Sequence, residues 1–376
     1  MTDPHIHGRC PPRFAALREA FLANFAEGRE LGARFTLAIA GEVVVDLMGG
    51  WADRDETRPF AEDILTPIHS TTKAVTALML ARLVGQGRLA YGQRVAEIWP
   101  EFAQAGKGGI TVERVLSHQA GLVSLPEPLA PTDWFDTERI AERLAAMAPL
   151  WPPGSASGYH PVTFGNLAGE IFRRIDGRTI GTALREDIAG PLGLDLWIGL
   201  PDSEHARCTV MRRPPAMPAL GVLNEFKRMA FLTKGASPGG LGEAAWRRAE
   251  FPAANGHATA PALALLMAAM ANDGEIAGRR ILAAGAAAEA SRQRIVGQDL
   301  VLPYVIGWAA GFMRNQGLDI YGPGPQTIGH SGWGGSCAFA DPERGVSGAY
   351  VMNRQSAELI GDPRAKRLIG AAYEGL

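Results

Sequence analysis

The chain has 376 residues, is 47% hydrophobic and 20% charged, and carries a formal net charge of −2 with the two signs interspersed. This composition excludes disorder and leaves room for a large core, expected as two intimately packed lobes. No basic block or aromatic-basic stripe occurs, so no nucleic-acid partner is expected and a small-molecule ligand is. The stretch Met1–His7 lacks a charged segment followed by an apolar one, and no apolar run approaches the roughly 18 residues that span a bilayer. A cytoplasmic protein without a membrane partner is therefore expected. Cys10, Cys208 and Cys337 are odd in number and scattered, which predicts reduced thiols, with no disulfide framework, no metal site and no cofactor.

In chain order, apolar Phe14, Leu17, Ala20, Phe21 and Phe25 predict an amphipathic helix over 13–27. Strand-like runs at 34–40 and 43–47 flank Gly41-Glu42, a connection suited to a hairpin. Strand character then disappears, and helices are predicted over 71–86, 111–119, 137–147 and 163–176. The last has one apolar face (Phe164, Leu167, Ala168, Ile171, Phe172, Ile175) and Gly177 where a left-handed cap is wanted. Pro126–Pro131 and Pro214–Pro218 read as loops, and a buried helix over 259–272 follows the Gly/Pro-rich piece 235–242. Strand signals return over 304–312, 327–330, 337–340 and 346–351, before a closing helix over 362–373. Two N-terminal strands are too few for a stable sheet, so they are expected to join the C-terminal ones. The expected architecture is α/β, an antiparallel sheet flanked by terminal helices (1–68 and 240–376) with a helical lobe (69–239) inserted, and the active site between them. No internal repeat occurs, and nothing specifies an oligomeric state.

Chemistry concentrates at Ser70-Thr71-Thr72-Lys73. Residues three apart share a helical face, so this spacing places an amine beside a hydroxyl, and a lysine of depressed pKa can take a serine's proton. With 12 serines and 5 lysines in the chain, chance supplies roughly 0.16 Ser-x-x-Lys pairs where the motif needs one. The alternative is a helix start with Ser70 or His69 near the cap and Lys73 a solvated cation. Two further segments are candidate partners: the Pro/Gly loop 151–160, which ends on Tyr159 just before a helix, and Gly329-His330-Ser331-Gly332-Trp333-Gly334-Gly335-Ser336, where glycine lets backbone approach a ligand. Ser331 lacks the setting of a nucleophile elbow. His118, His160 and His257 stand beside no carboxylate in sequence and read as structural.

Taken in order, these segments resemble the serine β-lactamase and penicillin-binding-protein superfamily, in particular the branch of class C β-lactamases and family VIII carboxylesterases. Ser70/Lys73 is similar to the Ser-x-x-Lys box, Tyr159-His160-Pro161 to Tyr-x-Asn, His330-Ser331-Gly332 to Lys-Thr-Gly, and Leu116–Leu122 to a structural signature of that branch. The resemblance implies Ser70 as nucleophile, Lys73 and Tyr159 as a shared acid–base network, and the backbone N–H groups of Ser70 and Trp333 as oxyanion donors. His330 and the Trp333 side chain are then expected to shape the pocket, with Trp134, Phe135 and Phe231 as further wall candidates. Pro161 replaces an amide that would bind a β-lactam, and His330 replaces a lysine that would hold a carboxylate. A small neutral ester is the expected substrate and carboxylesterase the expected activity. A weak β-lactamase, a D-amino-acid peptidase, an acyltransferase and a non-catalytic penicillin-binding-like sensor remain open.

Overall fold

In a computed structural model, residues 5–126 and 129–376 are described; Met1–Pro4 of the N-terminal stretch and Glu127–Pro128 of the Pro126–Pro131 loop lie outside them. Strands β1 (His7–Arg9), β2 (Gly32–Ile39) and β3 (Glu42–Gly50) come first, and β4 (Thr66–Pro67), β5 (Leu196–Trp197) and β6 (His257–Ala258) punctuate the helical middle. A small hairpin of β7 (Glu275–Ile276) and β8 (Arg279–Arg280) precedes β9 (Ile295–Gln298), β10 (Val305–Trp308), β11 (Met313–Arg314), β12 (Ile328–Ser331), β13 (Cys337–Asp341) and β14 (Val346–Met352). Nine strands form one antiparallel sheet in the order β1-β3-β2-β14-β13-β12-β11-β10-β9. The N-terminal pair is completed by the last strand, with Ala33 opposite Met352 and Ile39 opposite Val346.

Side chains of a strand alternate between faces, and here the alternation also sorts them by size. Phe339, Val346, Tyr350 and Met352 share a buried cluster with Phe14, Phe21 and Leu368 of the terminal segments. Ala338, Ala340 and Ala349 face the other way, into the cluster of the alanine-rich helix Ala260–Ala271. Small residues on both sides let that helix lie close under β14, β2 and β13. The helices Thr72–Gly85 and Thr163–Asp176 pack together in the middle of the chain, and the second ends on Gly177 at φ +88°.

Several expectations need correction. The helix expected over 111–119 is only Val112–Leu116, because His118 turns left-handed at φ +61°. The strand expected over 304–312 is broken between β10 and β11 by a turn at Gly311 (φ +85°), where a Cβ would lie 2.6 Å from Ala77 Cβ. The middle of the chain is not free of strands, since β4, β6 and β5 make a three-stranded sheet. Elements of two to four residues carry too little periodicity to be read beforehand. Cys10, Cys208 and Cys337 are unpaired, and no helix among the described residues is long and apolar enough to cross a membrane.

Candidate active site

Ser70 lies in the 3-10 turn His69–Thr71 that opens the helix Thr72–Gly85. His69 takes φ +46°, a conformation disfavoured for a non-glycine residue, and it is held there from several sides. Thr72 Oγ1 donates to His69 O (2.5 Å) and accepts from Gly256 N–H (2.8 Å), while Gln355 Nε2 lies 3.2 Å from His69 Nε2. At Gly256 a Cβ would sit 2.8 Å from Thr72 Oγ1; glycine is what lets that segment press against the turn.

Lys73 is completely buried, which rules out a solvated first-turn cation. Its Nζ donates to Pro161 O (2.7 Å) and Ala253 O (2.9 Å) and lies 3.2 Å from Ser70 Oγ. Burial alone drives its pKa well below the ordinary lysine value, with no carboxylate in an ion pair to oppose it. A neutral amine has two N–H groups and one lone pair. Two carbonyls take the N–H groups, so the lone pair is left toward the serine hydroxyl. Pro161 offers no side-chain amide here, but its carbonyl is one of the two groups that orient the amine.

Tyr159 holds its ring 4.7 Å from Lys73 Nζ and lines the same cavity as Ser70, with its hydroxyl close enough to Ser70 to feel it electrostatically. Burial raises the phenol's pKa above its ordinary value; Ser70 opposes this and the nearby Asp299 carboxylate adds to it. Tyr159 is therefore a phenol, able to donate or relay a proton. Its backbone is anchored by Asp299, a residue that sequence reasoning missed. Asp299 Oδ1 accepts the N–H groups of Tyr159, Val301 and Leu302, each at 2.9 Å, and Oδ2 accepts Trp308 Nε1 at 3.2 Å. The one available signal was a lone acid beside the apolar run Leu300–Pro303.

The end of β12 forms the opposite wall. A Cβ on Gly332 would meet Ser336 Oγ at 2.2 Å and Ile68 O at 2.3 Å, so only glycine lets this turn close on the segment before Ser70. Ser336 Oγ donates to Ile68 O (2.9 Å), stitching the two together. The amides of Gly332, Gly334 and Gly335 donate to Ser336 O, Glu358 O and Gly332 O, whereas no acceptor among the described residues is paired with the Trp333 amide. Ser331 Oγ is 2.9 Å from Tyr321 OH, with no lysine or histidine base bonded to it.

These groups border a cavity of about 360 Å³ lined on one side by Ser70, Tyr159, Pro161, Ser331 and Trp333. Met217, Leu220, Phe231, Leu241, Leu302 and Ile360 contribute to its apolar wall, and among the described residues no Asp, Glu, Lys or Arg lines it. Phe231 is thus at the wall as expected, whereas Trp134 and Phe135 are not. Trp134 is buried in the helical core and donates Nε1–H to Gly235 O (2.9 Å), supporting the wall from behind; Phe135 packs edge-on against Phe251. His330 does not shape the pocket either. It is fully buried behind Tyr159, donates Nδ1–H to Ser331 O (2.9 Å), and burial holds its pKa down to about 3, with Lys73 a further cause.

His118, His160 and His257 are buried and form no ion pair. His160 N–H donates to His118 Nδ1 (3.1 Å), and Leu122 N–H to His160 Nε2 (2.9 Å), so both rings act as backbone acceptors behind Tyr159. Among the described residues no group of three or more His, Cys, Asp or Glu could hold a metal ion.

Comparison with known proteins places this geometry. The family model described as Beta-lactamase matches residues 17–371. The chain is 36% identical over 370 residues to the esterase/beta-lactamase LipL of Mycobacterium tuberculosis, covering 94% of this chain and 84% of that protein. A crystal structure of a penicillin-binding protein homologue from Caulobacter crescentus matches with a TM-score of 0.97 at 63% identity, over 100% of both chains. A family VIII carboxylesterase matches with a TM-score of 0.93 at 41% identity, over 99% of this chain and 100% of the other.

Proposed function

The chain belongs to the beta-lactamase family, and from that premise we propose that it is a carboxylesterase acting through an acyl-enzyme on Ser70. The observation that carries the ester reading is the cavity at Ser70, which among the described residues has no Asp, Glu, Lys or Arg in its lining. A β-lactam brings a carboxylate that must be held, and an uncharged wall leaves it unpaired at a cost of several kcal/mol. A neutral ester with an apolar acyl group incurs no such cost.

In this reading Ser70 Oγ attacks the ester carbonyl as its proton passes to the lone pair of Lys73. The oxyanion is held by the amides of Ser70 and Trp333, and one such donor is worth roughly 2.7–4 kcal/mol. Tyr159, as a phenol, relays the proton to the departing alkoxide and then from the incoming water. Ser331 and Gly332 form the facing wall, with His330 fixing the Ser331 carbonyl from behind. The active site lies between an α/β lobe (1–68 and 240–376) and a helical lobe (69–239), and the enzyme works in the cytoplasm without a cofactor. A second reading, residual β-lactam hydrolysis, is favoured by the double description of LipL. A non-catalytic sensor, the reading nearest the description of the penicillin-binding protein homologue, needs no neutral base at its serine.

The experiment is a panel of p-nitrophenyl esters, from acetate to palmitate, beside a chromogenic cephalosporin. The best ester is expected to exceed the cephalosporin in kcat/KM by at least about two orders of magnitude. Equal rates would overturn the ester reading in favour of a β-lactamase.

A further inference from the structure

Next to the catalytic cavity lies a second groove of about 470 Å³ lined by five arginines, Arg29, Arg212, Arg213, Arg354 and Arg364, against Glu358 and Asp362. Two of the five are already neutralised. Arg29 pairs with Glu27 (2.7 Å), and Arg364 pairs with Glu30 (3.0 Å) and Asp362 (2.8 Å), which also takes up Asp362. Arg212 and Arg213 are exposed and, among the described residues, are paired with no carboxylate; Arg354 donates to Gly28 O alone. Burial and the neighbouring Arg212 and Arg364 lower the pKa of Arg354 against the opposing Glu30, the direction expected where burial and like charges outweigh the nearby carboxylate.

The groove and the cavity border successive stretches of the same two segments. The segments at Arg212 and Arg354 run side by side in the same direction, joined by Arg212 N–H to Asn353 O (2.7 Å) and Gln355 N–H to Arg212 O (2.9 Å). Each then passes from groove to cavity: Arg213 gives way to Met217 and Pro218, and Glu358 to Leu359 and Ile360. Four extended residues span at most roughly 14 Å, so Arg213 in the groove and Met217 in the cavity wall lie within that distance of each other. Gln355 ties the junction to the site through Trp333 O (3.3 Å).

We propose that this groove binds the phosphate of a phosphorylated alcohol, so that the natural substrate is an ester whose acyl half is apolar and whose alcohol half carries a phosphate. Planar guanidinium forks suit phosphate oxygens by paired hydrogen bonds, and a dianion would relieve the crowding of Arg212, Arg213 and Arg354. The proposal rests on the esterase reading for its chemistry. The Ser70 Oγ–acyl bond forms as the acyl–oxygen bond breaks, the serine proton leaves with the phospho-alcohol, and water then releases the free acid.

The test compares phenyl butyrate with its para-phosphate analogue, at low and high salt, in the wild type, in Arg212→Gln/Arg213→Gln and in Arg354→Gln. In parallel, calorimetry measures 4-hydroxyphenyl phosphate binding without turnover. The phosphate ester is expected to lead in kcat/KM by about tenfold or more, the scale of one charge-assisted hydrogen bond. Both the lead and the binding should fall about tenfold in either variant, while phenyl butyrate turnover stays within about twofold. No lead and no millimolar binding in the wild type would overturn the proposal. Binding that the variants abolish, with neither ester hydrolysed, would support the groove and overturn the esterase reading instead. Equal binding of 4-hydroxybenzoate would overturn the claim for phosphate.

Discussion

Replacing Lys73 with methionine separates its role as a base from its role as a packed side chain. Taking a lysine out of water as a neutral amine lowers folded-state stability whenever the unfolded chain would hold the proton. The folded pKa lies well below the ordinary 10.5 because of burial. The unfolded state therefore binds one proton more than the folded state between those two values, and stability rises with pH by roughly 1.4 kcal/mol per unit. Lys73→Met abolishes that term and leaves the carbonyls of Pro161 and Ala253 without a donor, at about 1 kcal/mol each. The stability of the variant relative to the wild type should therefore fall as pH rises toward the ordinary lysine value. Urea unfolding of both proteins across that range measures the difference, in which the other titrating groups cancel. Activity toward p-nitrophenyl butyrate should fall by about two orders of magnitude or more. A stability difference that does not change with pH would mean that Lys73 keeps its proton in the fold, and the base mechanism would fail.

Gly332→Ala should lower kcat about a hundredfold while leaving the protein folded, since its Cβ would force the β12 turn about an ångström from Ile68 O; unchanged kcat would show that the turn does not position the reaction. Asp299→Ala orphans four buried N–H groups, the backbone amides of Tyr159, Val301 and Leu302 and the Trp308 indole, so a loss of about 3 kcal/mol or more is expected in urea unfolding, with kcat falling too. Acid should destabilise the fold through its buried histidines. Burial lowers the pKa of His69 to about 4 and those of His160, His257 and His330 to about 3. As pH falls below about 6.5 the unfolded state takes these protons first, so stability is complete above that value and is lost progressively toward pH 4. Melting temperatures that stay level from pH 7.5 to 4.5 would contradict this.

The grouping of Ser70, Lys73 and Tyr159 at one cavity was legible because they sit in short motifs of fixed spacing, and the helix Thr163–Asp176 because its apolar face and Gly177 agree. Asp299 was not legible: it acts through backbone amides, which leave no trace in residue type. The helix expected to reach 119 stops early because His118 is turned inward, against Tyr159 and Trp308, a tertiary constraint that overrides local propensity. Trp134 lies in the core rather than at the pocket; an aromatic in a loop can serve as wall or core, and only the fold distinguishes them. The wall from Met217 to Leu241 has neither helical nor strand period, so nothing in the order of its residues marks it as substrate-facing.

The central claim is that Ser70 is the nucleophile, and a fluorophosphonate probe followed by mass spectrometry tests it most directly. One adduct is expected, on the peptide containing Ser70, with labelling and ester hydrolysis both abolished in Ser70→Ala. An adduct on Ser331 or Ser117, or hydrolysis that survives in Ser70→Ala, would contradict the account.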